Sequence, residues 1–173
     1  MKQFLLKDFH FNNKYVLLRV DFNVPLDKKG RVLDNSRIKA ALPTIKHLIK
    51  NKAMVIIITH LGKPKGKVVP KLKLNTVYQE LKKLLKRKGV YKLDDCIGND
   101  VEEFIDKMIP GEVVLLENLR FYPEEENNDS GFAEELAKNA DYYVNDAFAT
   151  LHRKHASVVA LTKYLPSAAG FLV

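Results

Sequence analysis

Short runs of apolar, β-branched residues alternate along this chain with segments whose apolar positions fall three and four apart. The runs 15–20 (YVLLRV), 53–59, 90–93, 113–117, 141–144 and 168–173 read as strands. The second is apolar throughout, as a strand covered on both faces must be. Between them, Ser36–Lys50 reads as a helix capped by Asn35 or Ser36, with Pro43 as a kink or restart. In 75–88 the positions Val77, Tyr78, Leu81, Leu84 and Leu85 form one buried helical stripe. A further helix turns Val101, Phe104, Ile105 and Met108 inward, and 131–139 and 157–164 are also predicted helical. Strand and helix alternating in this way predict an α/β fold. Its core is a doubly wound, mostly parallel sheet with helices on both faces, a Rossmann-like three-layer arrangement. No internal repeat and no linker-like stretch interrupts the pattern, so residues 1–173 read as one domain.

Composition adds exclusions. The chain has 173 residues, 46% hydrophobic and 29% charged, which excludes disorder and collagen-like classes. The longest uninterrupted aliphatic stretch, 54–58, is too short to span a bilayer. Lys7, Asp8, Asn12, Asn13 and Lys14 break any apolar signal-peptide core. The single cysteine, Cys96, excludes an intramolecular disulfide and a cysteine-cluster metal site. The expectation is a soluble, cytoplasmic protein without a membrane partner.

The formal charge is +8 and unevenly spread. Residues 63–92 carry eleven basic residues against one acid, Glu80, whereas 94–135 carry fourteen acids against two bases, Lys107 and Arg120. The basic block invites a nucleic-acid reading, but a solvated helix face is favoured. Lys82, Lys83, Lys86, Arg87 and Lys88 lie opposite the buried stripe, in the predicted last two turns, where cations suit the helix dipole. No aromatic residues alternate with them as a stacking surface requires. Arg120, nearly alone among acids, points instead to a local role.

In parallel α/β sheets ligands bind beyond the carboxyl ends of the strands. Those positions hold Asp21-Phe22-Asn23, then His60-Leu61-Gly62-Lys63, then Asn118-Leu119-Arg120, and finally 145–155 with His152, Arg153 and His155. Each loop alone is weak evidence, and Asp21 by itself reads first as a turn residue. His152 and His155 share a predicted helical face but lack a third ligand, so structural use is favoured over a metal. Together the loops gather Asp21, Asn23, His60, Lys63, Arg120 and Arg153 at one end of the sheet, and Arg37, opening the first helix, can join them. Arginine forks suit phosphate and carboxylate, and Asp21 can accept from a hydroxyl. A small phosphorylated hydroxy acid satisfies this set. There is no GxxxxGK[ST] loop, and the first strand is not followed by GxGxxG, which disfavours a dinucleotide.

The stretches RVDFNVPLD (19–27), SRIKAALPTIKHLI (36–49), THLGKPKG (59–66), LLENLRFYPEEENND (115–129) and VNDAFATLHRKHAS (144–157) resemble the N-terminal-domain signatures of phosphoglycerate kinase, in order and in register. That family transfers a phosphoryl group between 1,3-bisphosphoglycerate and ADP, giving 3-phosphoglycerate and ATP, in glycolysis. The resemblance implies that this chain is the glycerate-binding half. Asp21, Phe22 and Asn23 would meet the hydroxyl and carboxyl region. Arg37 would be the catalytic arginine near the reacting carboxyl. His60, Leu61, Gly62, Lys63, Arg120 and Arg153 would surround the distal phosphate.

The sequence departs from the family pattern at Lys63, where arginine is common, at Ala149, where glycine is usual, and at Leu151, where a smaller residue is usual. Lys63 keeps the charge and loses the fork. The resemblance also implies that Mg-ADP or Mg-ATP belongs to a C-terminal nucleotide domain with no counterpart in these 173 residues. The chain alone is therefore expected to use no cofactor and to be inactive, its partner being the missing domain of an otherwise monomeric enzyme.

Overall fold

The computed structural model describes residues 4–173. Six strands form one sheet: β1 (Tyr15–Arg19), β2 (Met54–Ile58), β3 (Val90–Lys92), β4 (Val113–Leu115), β5 (Tyr142–Asn145) and β6 (Ser167–Ala169). Their order is β3-β4-β2-β1-β5-β6, and every pairing is parallel. The helices are α1 (Ser36–Lys50), α2 (Asn75–Leu85), α3 (Asn99–Ile105), α4 (Pro123–Glu126) and α5 (Ser130–Ala137). Among the described residues no helix is long and apolar enough to cross a membrane.

The period-2 geometry of a strand sends neighbouring side chains to opposite faces, and here both faces are covered. Val16, Leu18, Val55 and Ile57 pack with Ile38 and Ile45 of α1 and Val77 and Leu81 of α2. Leu17, Ile56 and Ile58 pack with Val101 and Ile105 of α3 and Phe132 and Leu136 of α5. Burying each of these side chains stabilises the fold by about 1.5–3 kcal/mol. Three layers follow from central strands whose residues are mostly apolar and buried on both faces.

Several local expectations are corrected. Helix α1 runs through Pro43 without a break. Its N-cap is Asn35, but the capping bond comes from Asp34, whose carboxylate accepts from Ser36 N at 2.8 Å. Asn35 instead donates to Glu80 of α2. Helix α2 stops at Leu85 because Lys86 takes a left-handed conformation at φ 50°, so Arg87 and Lys88 lie beyond it.

Residues 157–164 are not an α-helix; only a 3₁₀ turn forms, at Ala160–Lys163. Long-range bonds replace the helical ladder. Ala156 N donates to Glu125 O, Ser157 N to Glu125 Oε2 and Ala160 N to Asn128 Oδ1. The final strand ends at Ala169 rather than 173 because the chain beyond it bonds sideways. Leu172 N donates to Asp146 and Phe171 N to Thr44.

Strand β1 sends its connection to β2 on one side, while β5, on its other side, continues outward to β6. The β1/β5 boundary is thus the point where the winding reverses, and the crevice past its carboxyl end is the favoured ligand position.

Candidate functional site

The loops beyond β1, β2, β4 and β5 are cross-tied. Thr59 donates its hydroxyl to Val20 O and accepts from Phe22 N, joining the first two loops. Asn118, fully buried, accepts from Leu61 N and Arg120 N and donates to Leu61 O and Leu72 O. Glu117 beside it accepts from Leu74 N at the start of α2 and pairs with Lys92 at 2.9 Å. A buried polar cluster with its partners in place rigidifies the segments it joins.

On this frame Asn23, Gly62 and Arg120 meet. Asn23 Oδ1 accepts from Gly62 N at 2.8 Å, and Arg120 Nη1 donates to Gly62 O at 2.8 Å. The glycine-containing loop then folds onto the β4 turn, where Gly66 N donates to Arg120 O. Gly66 has φ +70°, and an added Cβ would lie 2.7 Å from Pro123 Cβ, so both the backbone and the space require glycine.

Arg120 is only 2% exposed. Glu126 Oε1 lies 3.3 Å from its Nε, and Nη2 is buried with no hydrogen-bond partner among the described residues. Burial lowers the Arg120 pKa from its ordinary value, with Glu126 opposing, yet a guanidinium stays charged in proteins. A fork with a spare donor suits an incoming oxyanion.

His60 lies beside it, almost fully buried, and its Nδ1 is 3.0 Å from Arg19 Nη2. Burial first, then the charges of Arg19, Arg120 and Arg153 and the facing His155, hold the His60 pKa far below that of an ordinary imidazole. The same effects place Arg153 within electrostatic reach of both His60 and Arg120. Arg153 is half-buried, and Lys63 stands exposed at the loop surface.

Arg37, on the first turn of α1, pairs with Asp21, whose Oδ1 also accepts from Asn23 N. The two flank a cavity of about 270 Å³ lined also by Ala40, Asp146, Phe148 and Leu172. Phe22 and Leu61 give their side chains to the core, and their backbone N–H groups are already committed to Thr59 and Asn118. Ala149 sits in a 3₁₀ turn, Phe148–Thr150, and is not among the residues of positive φ, so this backbone places no demand for glycine there. Leu151 is exposed just after it.

Sequence reasoning missed Arg19 and the acid behind it. Arg19 is fully buried and donates to Ser157 Oγ at 2.9 Å, to Val20 O and to His60. Ser157 Oγ in turn donates to Glu125 at 2.6 Å. A signal was available: Arg19 is a charge inside the otherwise apolar run 15–20. His155, turned toward the same acid, has its Nδ1 3.8 Å from Glu125 Oε1. It sits in a turned segment rather than on a helix shared with His152. Among the described residues no group of three or more His, Cys, Asp or Glu is arranged to hold a metal ion.

The fold is a parallel three-layer α/β domain whose strand ends and the loops after them carry the buried Arg19, His60 and Arg120 and the half-buried Asn23. The family is found by comparison. The family model described as phosphoglycerate kinase matches residues 6–173. The phosphoglycerate kinase of Moorella thermoacetica is 58% identical over all of this chain, which spans 44% of that relative's length. The solved structures of phosphoglycerate kinase from Pyrococcus horikoshii and Coxiella burnetii superpose with TM-scores of 0.88 and 0.87, at 40% and 34% identity. They are covered over 98% and 99% of this chain but only 43% and 42% of their own. The chain belongs to the phosphoglycerate kinase family. It corresponds to less than half the length of these relatives.

Proposed function

We propose that this chain is the glycerate-binding domain of a glycolytic phosphoglycerate kinase, holding 3-phosphoglycerate or 1,3-bisphosphoglycerate for phosphoryl exchange with ADP and ATP. The observation that carries the reading is the buried fork of Arg120, tied to the loop of Gly62 and left with an unpaired donor. Arg120, His60, Arg153 and Lys63 receive the distal phosphate. Asn23 and Asp21 meet the hydroxyl and carboxyl end. Arg37 faces the reacting carboxyl, where its charge offsets the negative charge spread over the transferring group.

Asp21 has a second use in this reading. Paired to Arg37, it keeps that exposed side chain at the mouth of the cavity until a ligand carboxyl competes for it. The nucleotide and its metal lie with the part of the relatives that these 173 residues do not span, and the chain alone transfers no phosphoryl group. It acts from the cytoplasm as one half of a monomeric enzyme, with no membrane or nucleic-acid partner.

Calorimetric titration of the chain with 3-phosphoglycerate, glycerate and inorganic phosphate tests the reading. Saturable one-to-one binding of 3-phosphoglycerate, stronger than either fragment of it, is expected. Equal affinity for inorganic phosphate would reduce the site to a general anion cradle.

A further inference from the structure

Arg19 lies behind the site described above, at the end of β1, and reaches it only through His60. Its environment is nonetheless fully determined. Nε donates to Ser157 Oγ, Nη1 to Val20 O, and Nη2 lies 3.0 Å from His60 Nδ1. Ser157 Oγ in turn donates a hydrogen bond to Glu125 Oε1, and Ser157 N donates to Oε2. Glu125 is fully buried. One acid, one hydroxyl and one guanidinium thus form an unbroken line from α4 to the imidazole.

A guanidinium has five N–H donors and no acceptor. A ring nitrogen bonded to it must accept, so Nδ1 of His60 carries no proton. A neutral imidazole then carries its proton on Nε2. Protonation would need a second proton at Nδ1, directly against the Arg19 guanidinium.

We propose that Arg19 is a positioning residue, which Ser157 and Glu125 hold so that His60 is kept as the neutral tautomer with its proton on Nε2. In the proposed function, on which this part rests, His60 therefore meets the ligand phosphate as an uncharged hydrogen-bond donor. The cationic charge comes from Arg120, Arg153 and Lys63. Affinity then follows the ionisation of the ligand and not that of the histidine.

The basic groups around His60 act in the same sense, against a charge on its ring. Arg19 comes from β1, Arg120 from the turn after β4, and Arg153 and His155 from the segment after β5. The acid at the far end of the line, Glu125, reaches His60 only through Ser157 and Arg19.

The test uses the intact chain with ¹⁵N-labelled histidine. Without ligand, wild-type His60 is expected to show the correlation pattern of the Nε2–H tautomer and no titration while the chain stays folded. An Nδ1–H pattern, or protonation near the ordinary value of about 6.5, would overturn the proposal. In Arg19→Met the tautomers are expected to mix and His60 to titrate nearer that value. An unchanged Nε2–H pattern in that variant would show that Arg19 is not the cause. The wild-type spectrum decides even if Arg19→Met does not fold.

The second arm compares 3-phosphoglycerate affinity of wild type and His60→Asn across pH. Their ratio is expected to stay constant within about twofold, because neither side chain charges. A ratio climbing toward about tenfold as the pH falls below 6.5 would mean that His60 binds as a cation. Complete absence of 3-phosphoglycerate binding would overturn the proposed function while leaving the ligand-free tautomer result intact.

Discussion

The neutral, buried His60 has a consequence for stability that needs no ligand. In the unfolded chain its imidazole takes up a proton below about pH 6.5. In the native chain burial and the Arg19, Arg120 and Arg153 charges oppose that proton, so the folded pKa is depressed. The unfolded state then binds more protons, and stability falls as pH falls from about 6.5 toward the folded-state value. Between about pH 7.5 and about pH 5.5 the loss from this one group is about 1.4 kcal/mol, the free energy of one pKa unit. His155 shifts in the same direction, chiefly through burial, and adds to the total slope. The clean comparison is therefore with His60→Asn, whose Oδ1 can still accept from Arg19 and whose His155 is unaltered. Urea unfolding at a series of pH values should show wild type losing about 1.4 kcal/mol more than His60→Asn across that interval. Parallel pH profiles of the two proteins would mean that native His60 protonates freely, and the reasoning would fail.

Other outcomes are expected. Arg120→Ala should weaken 3-phosphoglycerate binding by about 1.5–3 kcal/mol, the scale of a hydrogen bond to a charged group. Arg87→Ala, beside Gly111 at the opposite end of the sheet, should leave calorimetric affinity unchanged; equal losses would remove the dedicated phosphate contact. Gly66→Ala should destabilise by about 1–2 kcal/mol for its left-handed backbone, and by more through the clash with Pro123. Gly30→Ala, at φ +76° with open space around it, should lose only the backbone part, so equal unfolding midpoints for the two would contradict the close approach. In a coupled assay the 173-residue chain should form no ATP from 1,3-bisphosphoglycerate and ADP, and steady protein-dependent turnover would refute that.

The layers of the fold were legible because buried parallel strands write themselves as continuous apolar runs. β1, β2, β4 and β5 fall where 15–20, 53–59, 113–117 and 141–144 predict them, give or take their ends. The collection of polar residues past those strands was legible from the same fact. What the sequence hid were long-range bonds. In 157–164 the apolar spacing suits a helix, but Glu125 and Asn128, some thirty residues earlier, take the N–H groups of Ala156, Ser157 and Ala160. The run 168–173 reads as a strand, and Asp146 and Thr44 turn its end aside. Arg19 was hidden differently. Its charge inside an apolar run was visible, but the distant Ser157 and Glu125 that make its burial tolerable were not. Arg120 was the reverse case, since its isolation among acids marked it before any geometry was known.

The central claim is that the crevice at the strand ends holds a phosphorylated glycerate. Amide chemical shifts of the ¹⁵N-labelled chain during titration with 3-phosphoglycerate test it most directly. Saturable shifts concentrated at Asn23, His60, Gly62 and Arg120 are the predicted result. No shift there at saturating ligand, or shifts confined to the lysine-rich segment 67–73 and the start of α2, would contradict it.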